Sequence, residues 1–425
     1  FKQKTAYEIG VRLVGSEMCI RDRIIIICFS VIINAQENQI SNSSYDLGDG
    51  ISFSFNEGNY LFNIYGFIRP AYIYNDILSN AQEGTYKEIS RQFKAKNSNL
   101  FIEGRAFKEK VSFTIQMNYS SSQPLAEAFI GYHIDNSTAI YFGKRQVFHN
   151  NLEMTHNEDT LRFTDTSLLG QNYTQSSEEV GIFVESSFGE KFVVEPKLAV
   201  TSGDRRNSFG EDSGDFDLGG FKLGSRLNLY PLGPFSDGNK NTAVDLIGEE
   251  KLKIQLGGAY SKTFGVSSSM GEDHPGLYDS SGNHNFPDYS QLFFDLLLKY
   301  KGFSFLFEYA DSYTSNPNLV YTDENAFNIL IPQHITEHLI LGDSYNIHLG
   351  YIIENGLGVD FRYEIANPEF DMNTESLLQS FDSYGFGISK YLDGNNLKMQ
   401  LSAYKADFDS GNEITYGEFL VQIAF

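Results

Sequence analysis

The chain has no tryptophan, two cysteines and ten prolines, and only 32 Lys and Arg against 55 Asp and Glu in 425 residues. Each shortage excludes something. Two cysteines cannot build a disulfide framework or a cysteine-rich zinc module. A net charge of −23 leaves too few basic side chains to displace counterions from nucleic acid, so no nucleic-acid partner is expected. Long apolar runs are missing as well: Ile24–Ile33 has about half of the ~20 residues that a membrane-spanning helix needs. A mean hydropathy of −0.30 points the same way. It does not exclude a membrane β-barrel, whose strands are apolar on one face only.

The N-terminal residues are sorted first. Residues 1–23, FKQKTAYEIGVRLVGSEMCIRDR, show neither helical nor strand periodicity and resemble a translated sequencing adapter, so they are set aside from fold reasoning. Residues 24–35 read as a truncated signal peptide, with an apolar IIIICFSVII and the small Ala35 at the cleavage edge. Residues 36–58 read as a polar N-terminal segment and 59–425 as a single barrel domain. Both cysteines leave with residues 1–35, together with five Lys/Arg and three Asp/Glu, so −23 becomes −25.

Within 59–425, segments of roughly ten residues alternate apolar and polar side chains. Leu292, Phe294, Leu296 and Leu298 alternate with Asp295 and Lys299. Phe113, Ile115 and Met117 alternate with Thr114, Gln116 and Asn118. The final segment sets Phe419, Val421, Ile423 and Phe425 against Glu418 and Gln422. Charges recur on the polar face, which a dry sandwich core would not tolerate unpaired but a water-filled lumen accepts. Aromatics cluster at segment ends, as interfacial girdles require. The pattern predicts an all-β fold, a 16-stranded antiparallel transmembrane barrel, with the first strand near 60–75, the second near 97–107 and the last near 414–425. Short periplasmic turns and long extracellular connections are expected to alternate, the latter including 76–96, 148–177, 203–217, 266–288 and 314–343. Pro70 and Pro196 fall inside strands and are expected at bulges, since a closed barrel uses every N–H. Lys144 and Lys390 share the parity of the lipid-facing residues and are expected to snorkel from strand ends.

The outer connections hold most of the acidity, while the lumenal faces mix signs. Arg105, Lys197, Lys222, Arg226, Lys253 and Arg362 are candidate pore-lining bases; Glu103, Glu127, Glu195, Asp360 and Glu418 are the matching acids. Mixed charge across a narrow aqueous pore tunes selectivity, although such pairs also satisfy each other across strands. A 30-residue connection such as 148–177 is normally functional. Its apolar Leu152, Leu161, Phe163, Leu168 and Leu169 suggest that it packs inside the barrel. Glu153, Glu158, Asp159, Arg162 and Asp165 would then line a constriction.

The segments GDGISFSF, YLFNIYGFIRP, NLFIEGRAF, LAEAFIGY, IYFGKRQVF, LGSRLNLYPLG and the terminal FLVQIAF occur in this order. In this order the chain resembles the phosphate-selective porin O and P family of outer-membrane proteins, in the variety found in Bacteroidetes-type bacteria. The resemblance implies a 16-stranded homotrimeric porin in the outer membrane of a Gram-negative bacterium, with an infolded third loop and lipid and lipopolysaccharide around it. It also implies that Phe425 is read by the barrel-assembly machinery. The sequence departs from the family at Asn97-Ser98-Asn99, where an arginine-rich entry is usual, at Val147-Phe148, where proline is usual, and at Arg69. Its basic residues are sparse, so passive diffusion of small hydrophilic solutes or ions is expected, with phosphate selectivity an open alternative. A non-conducting surface barrel and a specific transporter are the other readings.

Enzyme chemistry finds little footing. His334-Ile335-Thr336-Glu337-His338 matches an inverted zinc-protease pattern, which works only on a helix with a third ligand. Asp212, Asp215 and Asp217 resemble part of a calcium loop without its glycine spacing. No catalytic residue, metal or cofactor is expected.

Overall fold

A computed structural model describes residues 40–81, 84–174, 177–203, 221–266, 277–321, 332–370 and 375–425. The adapter-like and signal-like segments and Asp212, Asp215 and Asp217 lie outside the described residues. The strands, numbered along the chain, are β1 (Ile40–Asp46), β2 (Gly50–Phe55), β3 (Tyr60–Ile68), β4 (Pro70–Ala81), β5 (Gly84–Ala95), β6 (Asn99–Ala106), β7 (Val111–Asn118), β8 (Leu125–His133), β9 (Thr138–Gln146) and β10 (Glu178–Ser186). They continue as β11 (Val193–Thr201), β12 (Lys222–Tyr230), β13 (Lys253–Thr263), β14 (Tyr289–Tyr300), β15 (Phe303–Thr314), β16 (Gly342–Ile352), β17 (Leu357–Pro368), β18 (Phe381–Asp393), β19 (Leu397–Phe408) and β20 (Glu413–Ala424).

All strands belong to one antiparallel sheet, and the sheet closes on itself. Two pairs of strands are single passes of the chain. Arg69 alone separates β3 from β4, and 96–98 separate β5 from β6. The last strand pairs with both halves of the first pass, Leu420↔Ala71 on β4 and Ile423↔Ile68 on β3. With the β1–β2 hairpin lying outside the closure, the barrel has sixteen antiparallel passes. Closure matters because an unpaired sheet edge in lipid would leave backbone groups unsatisfied.

The two-residue period decides which face is wet. On β18, Phe386 is 58% exposed and Ile388 44%, while Gly387 between them and Ser389 beside them are buried. On β17, Val359 is 45% exposed and Arg362 only 1%. Large apolar side chains therefore project from the outer surface and polar ones inward, an arrangement stable only when the exterior faces lipid.

Several sequence expectations need correction. Residues 76–96 are not a loop: β4 and β5 continue as a tall hairpin with unbroken pairing from Pro70↔Ala95 to Ala81↔Gly84. While β4 is paired with β20 from Ala71 to Leu78, β5 pairs only with β4 and is exposed on both faces, which hides its strand period. The 36–58 segment contains the β1–β2 hairpin, and β2 pairs with β3 from Ile51↔Ile64 to Phe55↔Tyr60, so the wall extends beyond the barrel on the short-turn side. Pro70 sits at the break after Arg69. Pro196 sits at no bulge. Its strand keeps register with Leu227, and the β10–β11 ladder lapses between Glu185↔Lys197 and Phe188↔Val194, where proline has no N–H to give. Lys144 is buried rather than lipid-exposed, its Nζ donating to the Leu125 carbonyl. Lys390 does reach a rim, where its ammonium donates to the Asn355 carbonyl in the β16–β17 turn.

The long connections above β13–β16 have their own apolar core of Val266, Leu277, Tyr289, Val320, Ile335, Leu339 and Leu341. Among the described residues no helix is long and apolar enough to cross a membrane; the crossing is made by strands.

Candidate functional site

The lumen is shaped by two connections that enter it from opposite ends. The first is 148–177, with 3-10 turns at Glu153–Thr155 and Glu158–Thr160 and the short helix α1 (Leu168–Tyr173). The Ser167 hydroxyl caps α1 by accepting from the Gly170 N–H. Its main chain is held by inward-facing side chains from most of the circumference. Lys398 and Gln400 of β19 donate to the Leu161 carbonyl, and Gln422 of β20 donates to that of Asp159. Glu308 of β15 accepts from Asn151 and from the Glu153 N–H, and Glu364 of β17 accepts from the Leu169 N–H. Burying a carboxylate is costly unless hydrogen bonds or charges replace its water, and here the loop's amides do so.

The second is 231–250, on the short-turn side. Asp245 accepts from Asn239 (2.7 Å), from the Glu249 N–H (3.0 Å) and from the Gly302 N–H (2.7 Å). The Lys299 ammonium donates to the carbonyls of Asn239 and Thr242. The two connections meet: the Thr242 hydroxyl donates to the Thr160 carbonyl, and Leu152 packs with Phe235 and Ala243 against Leu297 and Leu306 of the wall. The sequence shows no role for 231–250, because its hydrogen bonds to Thr160, Lys299 and Gly302 reach residues 57 to 82 positions away.

The sequence-nominated charges fall into two groups. Lys222, Arg226, Asp360, Arg362 and Glu418 lie in the packed half, covered by the loops and paired. Lys222 bridges Glu179 (2.9 Å), Arg226 clasps Asp295 (2.7 Å), Arg362 faces Glu364 (3.2 Å), and Glu418 takes Lys96 (2.8 Å). Arg162 of the loop spans to Asp360 (3.0 Å) and also donates to the carbonyls of Ser304 and Ala243. Glycines make room: a Cβ at Gly257 would collide with the Arg226–Asp295 pair, one at Gly350 with Arg162–Asp360, and one at Gly224 with the His149 ring. Phe163 lodges on Gly387 and Gly385, with the Arg362 guanidinium 4.5 Å from its ring centre.

The other half is open. A cavity of about 620 Å³ on the short-turn side is lined by Glu103, Glu127, Glu195, Lys197 and Tyr65, among others. A smaller one of about 140 Å³ lies across the loop, bordered by Glu127, Glu153, Glu158 and Asp165. They share Glu127, Gln146, His156 and Asn157, whose common border, the neck, is where the Gln146 amide donates to the Met154 carbonyl. Lys197 and Arg145 both bridge Glu185, so neither base is free. Arg105 is exposed at the turn end beside Glu109, and Lys253 donates to the Leu232 carbonyl at the same rim. Asp159 keeps one oxygen without a partner, and Asp165 faces Lys96 at 3.0 Å. Loop residues at the neck are shifted by burial. Glu158 is pushed up to about 7 despite Arg69 and the Asn99 amide, and the His156 imidazole is pushed down to about 3, with Lys299 and Arg226 adding to the effect. Sequence reasoning nominated none of Arg69, Lys96, Arg145, Glu179 and His149 as site residues: Arg145 and Glu179 alternate within strands, Lys96 and His149 fall in segments read as loops, and their partners are far away in sequence.

His334 to Glu337 of the His334–His338 motif lie on the 3-10 helix Pro332–Glu337 rather than on an α-helix, with Ile335 buried; among the described residues no group of three potential ligands occurs.

A closed sixteen-pass antiparallel barrel, apolar outside and polar inside, with an infolded loop, defines a transmembrane β-barrel of the outer-membrane kind. Its fold is similar to that of solved outer-membrane barrels. A loop-L8 deletion form of OmpT, an outer membrane protein of Vibrio cholerae, superposes with a TM-score of 0.50 at 11% identity, covering 86% of this chain and 99% of that one. OprB of Pseudomonas putida gives 0.50 at 10% identity over 85% and 94% of the two chains. The outer membrane channel DcaP of Acinetobacter baumannii gives 0.50 at 10% identity over 87% and 99%. At these identities the likeness is one of fold. No family model and no curated protein matches the chain.

Proposed function

We propose that the protein is an outer-membrane porin through which small hydrophilic solutes and ions diffuse passively, with a preference for cations. The observation that carries this reading is the pair of cavities on either side of 148–177 that share a neck at Glu127, Gln146, His156 and Asn157. Carboxylates border both, and of the bases beside them Arg145 and Lys197 are committed to Glu185 and Lys240 to Asp237. Phosphate selectivity, which the family resemblance suggested, finds little support: Arg162, Lys222, Arg226 and Arg362 of the packed half are already bound to carboxylates, and Lys299 and Lys398 to main-chain carbonyls. The charges around the neck then act as a fixed field on permeating ions.

A non-conducting surface barrel is the second reading, and the meeting of the two infolded connections favours it. Planar-bilayer recording on refolded protein decides. Stepwise conductance with a cation-selective reversal potential in a KCl gradient is expected. Absence of steps would overturn the porin reading, and an anion-selective potential would restore the phosphate one.

Homotrimer assembly, insertion through Phe425 by the barrel-assembly machinery and contact with lipopolysaccharide belong to the same proposal. For Phe425 the support is positional: its main chain exchanges hydrogen bonds of 2.8 and 2.9 Å with Gly66 at the seam.

A further inference from the structure

We propose that the cavity on the short-turn side of the neck is a binding station for small organic cations, held by two tyrosine–glutamate pairs, Tyr65–Glu103 and Tyr230–Glu195. This rests on the pore reading and deepens it by naming a solute class.

The wall of a passive aqueous pore needs only polar groups, yet rings project into this cavity. Tyr65, Phe129 and Tyr230 line it and are half-buried rather than sealed. Each tyrosine hydroxyl donates to a carboxylate, Tyr65 to Glu103 at 2.9 Å and Tyr230 to Glu195 at 3.3 Å. Each ring is braced from behind, Tyr65 stacked on Phe101 at 4.7 Å and 3°, and Tyr230 edge-on to Phe235 at 6.0 Å. A ring face and a carboxylate are thereby fixed next to each other, twice, on one cavity.

Charge selects the ligand's sign. Glu103 and Glu195 make no ion pair with a lysine or arginine among the described residues, while Arg145 and Lys197 share Glu185; across the lining, Glu103, Glu127, Glu185, Glu190 and Glu195 outnumber Arg145, Lys197 and Lys240. The same wall already contains a working example: the Arg145 guanidinium lies 4.1 Å from the Tyr141 ring centre and 5.1 Å from that of Phe129 while bridging Glu185. A hydrated inorganic ion would use the carboxylates alone. A cation carrying carbon would use the rings as well, because aromatic faces attract weakly hydrated cations. The volume of about 620 Å³ lies within the usual range for a small-molecule site.

The test uses the intact refolded chain in planar bilayers, with choline chloride added on the turn side during KCl recording. Saturable reduction of the K⁺ current by choline is expected, with no saturable reduction by glucose. In the double variant Tyr65→Leu/Tyr230→Leu the half-blocking concentration should rise about tenfold, the size expected for losing two ring contacts. Correct folding of the variant is read separately, from a far-UV circular dichroism spectrum that should keep the β-sheet signature of the parent. Equal block by glucose would overturn the proposal in favour of a neutral hydroxylated ligand. Choline block unaltered in the variant would overturn it in favour of acidic attraction alone. Absence of any KCl current would defeat the pore reading instead. In that case saturation-transfer NMR of choline with the detergent-folded protein still decides, and absence of transfer overturns the site.

Discussion

Arg162, at the centre of the infolded loop, places its Nε 3.0 Å from the carboxylate of Asp360 on the far wall, and both residues are buried. A charge pair in such a setting is not a large source of net stability, but removing one partner strands the other in a dry place. Arg162→Met alone should therefore lower barrel stability by about 3–5 kcal/mol and raise conductance noise by loosening the loop. Arg162→Met/Asp360→Leu should recover much of that loss. Denaturant unfolding in detergent and single-channel recording check both statements; a single variant as stable as its parent would show that the pair does not anchor the loop.

Gly224→Ala tests the room made for His149. The new methyl would press on the imidazole and displace the start of the loop. Overpacking of this kind costs about 1–3 kcal/mol. His149→Ala in the same chain should relieve it, and thermal unfolding of the single and double variants measures the recovery.

Glu158 makes the neck sensitive to pH. Its carboxyl is pushed up to about 7 by burial, with Arg69, Asp159 and Glu178 nearby. Between the ordinary glutamate range and that value the folded state binds the proton more tightly than the unfolded chain, so its contribution to stability is present at low pH and falls as pH rises through 7. Ionisation over the same interval adds negative charge to the loop-side cavity. Reversal potentials recorded from pH 6 to 8 should shift toward greater cation selectivity, and Glu158→Gln should flatten that shift.

Asp245→Ala should unlock the turn-side connection. Three donors, from Asn239, Glu249 and Gly302, lose their acceptor together. Each donor left unmet in a buried place costs about 1–3 kcal/mol, less wherever water enters. The expected outcome is a larger mean conductance with little change in ion selectivity. Unchanged conductance would mean that 231–250 does not restrict the path.

The strand pattern was legible where both faces have fixed solvents, as on β14 and β20: lipid outside and water or loop inside impose a strict period of two. It was lost where that condition fails. In the β4–β5 hairpin only β4 has a second neighbour, β20, so β5 is exposed on both faces, carries mixed residues and reads as a loop. The β1–β2 hairpin is short and serine-rich, and β2 joins β3 through the tight Asn56–Asn59 turn over only five residue pairs, too few for a clear period. Within the lumen the charged parity was readable, but not which charges are wet. Arg226 and Lys197 look alike in sequence; one is clasped by Asp295 beneath the loop, the other borders the open cavity. That distinction depends on where 148–177 and 231–250 settle.

The seam joins the first pass of the barrel to the last, Ala71 beside Leu420 and Gly66 beside Phe425. Every other pair of neighbouring passes is also adjacent along the chain and can zip from its own turn. This one must bring together the two most distant strands, the pairing with the greatest loop entropy to overcome. Until it forms, β4 and β20 each offer a bare edge to any other strand they meet. Slowing of this single event, by substitution or by delayed delivery to the membrane, should thus appear as aggregation during biogenesis rather than as reduced stability of the finished barrel.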